Sequence, residues 1–340
     1  MKKTKTITVY ALTFLMAFFL LHACNRSTPN EVQSELDHKK TRMSNMYYQQ
    51  LALRWAPIHY QDVDNSGCGS MSGRGDYITN IDFDNDWITS NNWNNIEPSK
   101  KFAPNAHSYY SVVETNTHYF IIYSFFHPRD WANVCFANID FHENDLEGLL
   151  TVVKKSSAND GYGELQGIVT TVHADFYSFI PSGSPLQSNQ ESIDGALKME
   201  NYNNQLHPVT AQESKGHALK AWPIVNIIGD GLKYFPTLDI AEAPANNDDR
   251  DVKYKLVNIF DANGLWERRF NPESFKDNGR SFLRTVGSGG ANTPWGWDDK
   301  DDLPGVGELA TDPARLANIY FKNFGPMDLN YVYNPYRGIY

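Results

Sequence analysis

Residues 118–154 read HYFIIYSFFHPRDWANVCFANIDFHENDLEGLLTVVK, and this stretch decides the fold. Two β-branched and aromatic runs, Tyr119–Phe126 and Leu149–Val153, predict neighbouring buried strands. Between them stand His127, Asp130, Asp140, His142, Glu143, Asp145 and Glu147, more ionisable groups than a plain connection needs. Chemistry commonly sits on loops carried by rigid strands, so the candidate site is sought here.

Working outward, Tyr109–Glu114 and Thr117–Phe126 predict a hairpin turning at Thr115-Asn116. Leu165–Phe179 predicts a further strand or strand pair, Ile58–Gln61 an entering strand, and Val252–Phe260 another strand region. Residues 64–75 and 181–206 read as loops, rich in glycine, serine, asparagine or glutamine. Met43, Met46, Tyr47, Leu51 and Trp55 are spaced for an amphipathic helix over 43–55, which Pro57 ends. Near the C-terminus Thr311 can cap a helix with Pro313 in its first turn, and Leu316, Ile319, Tyr320 and Phe324 supply an apolar face. High aromatic content and scarce helical periodicity predict an all-β, β-rich fold: a single β-sandwich over 43–340 with a flanking helix at each end.

The first 24 residues read as an address. Lys2, Lys3 and Lys5 precede an apolar run, Ile7–Leu21, of signal-peptide length and too short to span a bilayer. It closes in Leu21-His22-Ala23-Cys24, which resembles the lipobox of bacterial lipoproteins and makes Cys24 the expected lipidated residue; an ordinary cleaved signal peptide is the alternative. Residues 25–42 are polar and aperiodic, as a flexible tether would be. Of three cysteines, Cys68 and Cys135 then remain, either paired by an oxidising compartment or both free. Loss of the leader leaves 27 cationic against 40 acidic side chains, a net charge of −13. That balance excludes nucleic acid as the main partner and suits a body held at a membrane by lipid, in the cell envelope.

His142, Asp145 and Glu147 form H-x-x-D-x-E. On a strand Asp145 and Glu147 share one face and Leu146 takes the other. One imidazole with carboxylates is a hard ligand set, suited to calcium, magnesium or manganese, and Asp130 can add an oxygen. A solvated strand edge is the plain alternative. Asp82, Asp84 and Asp86 do not make an EF-hand, because Trp87 stands where the loop needs glycine and Trp93 where it needs glutamate. His217, beside Gly216, and Lys220 are candidate ligand-binding residues, as are Trp295, Trp297 and Asp298, with Asp299 following; tryptophans in a buried turn explain that segment equally well. His173 and His217 are the acid–base candidates should the protein be an enzyme, with Asp175 on the face of His173. No nucleophile-elbow, P-loop or zincin framework is present.

The blocks Arg54–Asp62, HPRD and HENDLEG resemble bacterial and fungal proteins with an H-E-G-D-W-E-type motif, including vacuolar protein sorting-like members. His142, Asp145 and Glu147 match the motif, while Leu146 replaces its Trp and Asn144 its Gly. More distantly, Pro128-Arg129-Asp130, the HENDLE block, Gly216–Leu219 and Gly290–Trp295 are similar, in order, to segments of the necrosis- and ethylene-inducing cytolysins. That resemblance implies a β-sandwich holding a divalent cation through Asp130, His142, Asp145 and Glu147, where the cation serves binding of glycosylated sphingolipid and breaks no bond. The expected function is a lipid-anchored protein whose divalent-cation site organises a pocket for a glycan or glycolipid. A metal-dependent hydrolase of a glycan or phosphoester, and a structural envelope lipoprotein, are the alternatives.

Overall fold

A computed structural model describes residues 45–133, 141–227 and 229–340. The expected leader, Cys24, the tether, Met43, Cys135 and Asp140 lie outside the described residues. Contacts gather Tyr48–Tyr340 into one unit and leave Met1–Tyr47 as another.

The fold is all-β. Its strands run β1 (Ile58–Asp62), β2 (His107–Thr115), β3 (His118–Asp130), β4 (His142–Lys154), β5 (Glu164–Val172), β6 (Asp175–Pro181), β7 (Gln187–Ser188), β8 (Gly195–Leu197), β9 (Met199–Tyr202), β10 (Gln205–Gln212), β11 (Leu219–Ala221), β12 (Gly231–Thr237) and β13 (Val252–Asn258). One mixed sheet takes the order β11-β10-β1-β12-β13-β2-β3-β4-β5-β6-β8. It curls until β11, at one end, packs on β4, β5 and β8 at the other, so the sheet is nearly closed.

Strands β2 and β3 form the expected hairpin, and β3 pairs antiparallel with β4 from His118↔Lys154 to Asp130↔His142. Every described position of β3 is buried. Burial of both faces explains a near-continuous apolar run in place of alternation. One face contributes Phe120, Ile122 and Phe126, joined by Leu146, Leu150 and Val152 of β4, to a core with Trp295, Trp297, Leu316, Tyr320 and Phe321. The other face looks into the curl. There Phe125 stacks on His59, with centroids 4.0 Å apart, and meets Tyr254 edge-on. Tyr123 and Tyr254 spend their hydroxyls on the carbonyls of Ala52 and Pro57.

The N-terminal helix covers 45–55, with Leu51 and Trp55 buried and Met46 exposed. Its tryptophan donates from Nε1 to the Tyr162 carbonyl at 2.8 Å. The C-terminal helix is Pro313–Tyr320 and its N-cap position is Asp312; Thr311 instead closes the preceding turn, its hydroxyl bonded to the Gly307 carbonyl. The expected strand pair over 165–179 is β5–β6, turning at His173-Ala174. The expected loop over 181–206 contains β7, β8 and β9, two to four residues each, too short to show a period of two.

Candidate functional site

The site begins at one backbone angle. Asn144 has φ +64°, inside β4, and its side chain fixes that conformation by donating to the carbonyls of Thr89 and Leu283 and accepting from Asn92 Nδ2. Asparagine tolerates the left-handed region better than most residues, which is why it can stand where glycine would also serve. The kink brings the Asn144 carbonyl to 2.8 Å from His142 Nδ1. A carbonyl only accepts, so Nδ1 carries the hydrogen, and Nε2 of the neutral ring offers a lone pair. Nε2 stands 3.3 Å from Asp130 Oδ2, its cross-strand partner. Burial pulls the His142 pKa down, against the pull of Asp145. At 3.3 Å the two atoms can share a proton or stand as adjacent ligands of one cation.

Beyond the kink, Asp145 and Glu147 point away from Leu146, which enters the apolar core. Both are buried. Glu147 accepts from the Thr171 hydroxyl and from the His173 backbone N–H at 3.0 Å. Burial first, and then the neighbouring Asp145, push its pKa up to about 8 despite those donors. Asp145 is engaged by His217 Nδ1 at 2.9 Å, and His217 Nε2 reaches Asp76 Oδ1 at 3.3 Å. Burial lowers the His217 pKa, but the two carboxylates outweigh it and hold the imidazole at about 10. His217 is thus a fully buried imidazolium between two acids. It stacks on His127 at 3.7 Å with an interplanar angle of 4°. Burial and the His217 charge hold His127 neutral, well below the usual histidine range. Asp76 is further fixed by Trp131 Nε1 and the Lys215 backbone N–H, both at 2.8 Å, and by the Asp64 N–H at 2.9 Å.

A cleft of about 480 Å³ opens over this cluster, lined by Asp130, Trp131, Phe141, His142, His173 and Gly289 among others. Asp145 and Glu147 lie behind that lining. A Cβ at Gly289 would sit 2.2 Å from His142 Cδ2, so glycine lets the 288–289 backbone lie on the imidazole. A second cleft, about 290 Å³, shares Ala132 and Phe141 and adds Cys68, Trp93 and Arg129. Trp93 and Phe141 are 5.3 Å apart there, and the buried Arg129 stacks against Trp93 at 4.3 Å.

Of the four residues read from H-x-x-D-x-E and its upstream turn, Asp130 and His142 meet at the cleft, whereas Asp145 is turned to His217 and Glu147 to Thr171 and His173. His173 stands half exposed at the cleft, its side chain 55 % accessible and Nδ1 4.0 Å from Glu147 Oε1. The other expected ligand-binding residues are dispersed. Trp295 and Trp297 are core residues, as the buried-turn reading has it, with Trp297 Nε1 bonded to the Leu146 carbonyl at 2.8 Å. Asp298 is half-buried, and Lys220 lies over the Tyr177 ring at 4.4 Å. Asp82, Asp84 and Asp86 accept hydrogen bonds within their own turns and from Asn95. Cys68 is disulfide-bonded, and the two other cysteines of the chain lie outside the described residues.

Sequence reasoning missed Asp76, in a three-residue helical turn after the glycine-rich loop, and the Trp93–Phe141 pair. Neither carries a spacing signal, because Asp76 meets His217 across 141 residues. Among the described residues one group of three carboxylates, Asp175, Asp299 and Asp301, brings ligand atoms within 4.8 Å of one another and could hold a metal ion.

No protein-family description matches the chain, and no curated protein does. Solved structures similar to it are necrosis- and ethylene-inducing proteins. The non-toxic HaNLP3 protein is 15 % identical over 62 % of this chain and 73 % of its own, at TM-score 0.27. NLPPya in complex with mannosamine is 14 % identical over 72 % of this chain and 83 % of its own, at TM-score 0.29. Necrosis and Ethylene inducing Protein 2, from the causal agent of cocoa's witches' broom disease, is 13 % identical over 50 % of this chain and 66 % of its own, at TM-score 0.26.

Proposed function

We propose that this protein binds a divalent cation through Asp130, His142, Asp145 and Glu147, and that the cation and the adjoining Trp93–Phe141 surface receive a hydroxyl-rich ligand, a glycan or glycolipid head group, without turnover. The observation that carries this reading is the pair His142 Nε2 and Asp130 Oδ2, 3.3 Å apart, with Nδ1 already committed to a carbonyl. That separation suits two adjacent ligands of one cation, which would also offset carboxylate charge behind the cleft. Carboxylates with one imidazole suit calcium, magnesium or manganese. The chemistry such a cation supplies is coordination of hydroxyl oxygens. The chain's own groups do the rest: Asn144 holds the His142 tautomer, His217 holds Asp145, and Trp93 and Phe141 offer aromatic faces to the sugar's C–H side.

Chelation should remove metal from the purified protein and lower its melting temperature, with recovery on adding one of these three ions. Binding to the native state alone contributes about 2.7 kcal/mol at a hundredfold excess over Kd. An array of glycans and sphingolipid head groups should then show cation-dependent binding that Trp93→Ala weakens at least tenfold. Unchanged metal content and melting after chelation would defeat the reading, and measurable hydrolysis of a glycan or phosphoester would replace it with the hydrolase alternative.

We further propose that the chain is a lipid-anchored envelope protein, acylated at Cys24, with Cys68 paired to Cys135. Mass spectrometry of protein taken from its native membrane, with non-reducing peptide mapping, should find an acylated Cys24 as first residue and a Cys68–Cys135 peptide. A mature N-terminus elsewhere removes the first claim, and Cys68 joined to another cysteine removes the second.

A further inference from the structure

A second acidic cluster lies at the other side of the His173-Ala174 turn. Asp175 opens β6, and Asp299 and Asp301 belong to the segment after Trp297. The Lys300 backbone N–H, donating to the Ala174 carbonyl at 3.1 Å, ties that segment to the turn. The three carboxylates bring ligand atoms within 4.8 Å of one another.

Proximity of acids alone would mean little, because exposed carboxylates commonly cluster in solvent. The second observation concerns Asp299, which is only 3 % exposed. Its Oδ2 accepts from the Tyr320 hydroxyl at 2.6 Å, whereas its Oδ1 is buried without any hydrogen-bond partner. A buried carboxylate oxygen left without a donor is costly, and charged groups cost most. Burial first, against the Tyr320 hydroxyl, and then the charge and side-chain hydrogen bonding of Asp301 and Asp302 push the Asp299 pKa up to about 7. Glu191 and Asp194 are raised as well, by burial and by acidic neighbours. Lys220 acts against this on Asp194 from its seat over Tyr177. No ion pair within 4.0 Å joins Asp175, Asp299 or Asp301 to a basic side chain among the described residues.

We propose that Asp175, Asp299 and Asp301 form a second divalent-cation site, selective for calcium, with the buried Asp299 oxygen as its inner ligand. Calcium takes six to eight oxygens in flexible geometry and suits a site with one buried, one half-buried and one exposed carboxylate, the remaining positions going to water. Magnesium demands near-ideal octahedral geometry, a stricter requirement than one buried, one half-buried and one exposed carboxylate impose. Bound there, the ion would pin the 298–303 segment to the β5–β6 turn, and so fix the turn that presents His173 to the first cleft. The inference does not rest on the cation reading of that cleft, since the two sites share no ligand.

Calorimetric calcium titration of the full-length chain separates them, with terbium luminescence sensitised through Tyr320 and Trp297 as a second readout. One calcium should survive Glu147→Gln and be weakened at least tenfold by Asp175→Asn with Asp301→Asn. Should the double variant fold poorly, Asp301→Asn alone, at an exposed position, should weaken the same ion and lower the terbium signal. Calcium binding unchanged in these variants, or no calcium bound once Glu147→Gln is in place, overturns the site and leaves the acids sharing a proton.

Discussion

In chelator-treated protein, Glu147→Gln should raise the melting temperature at pH 8 and leave it nearly unchanged at pH 4.5. Glu147 is pushed from the usual glutamate range to about 8 by burial and by Asp145. Between those values the native state binds more protons than the unfolded chain, so stability falls as pH rises through the window. Glutamine keeps the acceptor for the His173 N–H and can meet the Thr171 hydroxyl, yet carries no charge. The gain should be roughly 2–4 kcal/mol at pH 8, several degrees for a domain of this size. With calcium, magnesium or manganese restored, the difference should shrink by about 2.7 kcal/mol at a hundredfold excess over Kd, since the wild type gains stabilisation the variant cannot. Thermal denaturation followed by circular dichroism at the two pH values, with and without cation, measures both effects. A metal-free variant that melts below the wild type at pH 8 would show that Glu147 is ionised and satisfied without a cation.

His217→Phe should cost about 3–5 kcal/mol at pH 7, the range seen when one partner of a buried ion pair is removed. Phenylalanine preserves the stack on His127, so the loss isolates the charge that Asp145 and Asp76 require. The sign is opposite to that at Glu147. A histidine held at about 10 contributes stability that is complete below its unfolded value, near 6.5, and is lost as pH rises through 10. Urea unfolding gives the energy, and the His217 ring should remain an imidazolium by NMR at pH 8. A loss below about 1 kcal/mol, or a neutral ring at that pH, would mean that the two acids do not rely on it.

Legibility in the sequence followed the range of the interaction. Strands β2 to β4 were readable because each carries its own β-branched and aromatic run, and the hairpin joins neighbours in the chain. The facing of Asp145 and Glu147 was readable from alternation alone. Asp76 was not, because nothing within its loop marks the one carboxylate that reaches His217. Trp295 and Trp297 show the converse: flanked by glycines and acids, they look like a binding surface, and burial against β4 assigns them to the core. Strands β10 and β12 also escaped notice, since Pro208 and Pro236 interrupt patterns that only the partner strands make whole.

The alternation along β4 has an evolutionary consequence. Leu146 belongs to the apolar core while Asp145 and Glu147 on either side of it belong to the charged interior, so successive residues serve separate compartments. One residue inserted or deleted between Asn144 and Glu147 would exchange the compartments, placing carboxylates under Trp297 and leucine beside His217. Descent with this chemistry intact can proceed by substitution within the segment. Changes of length must be absorbed elsewhere, in the connections that leave the β3–β4 register untouched.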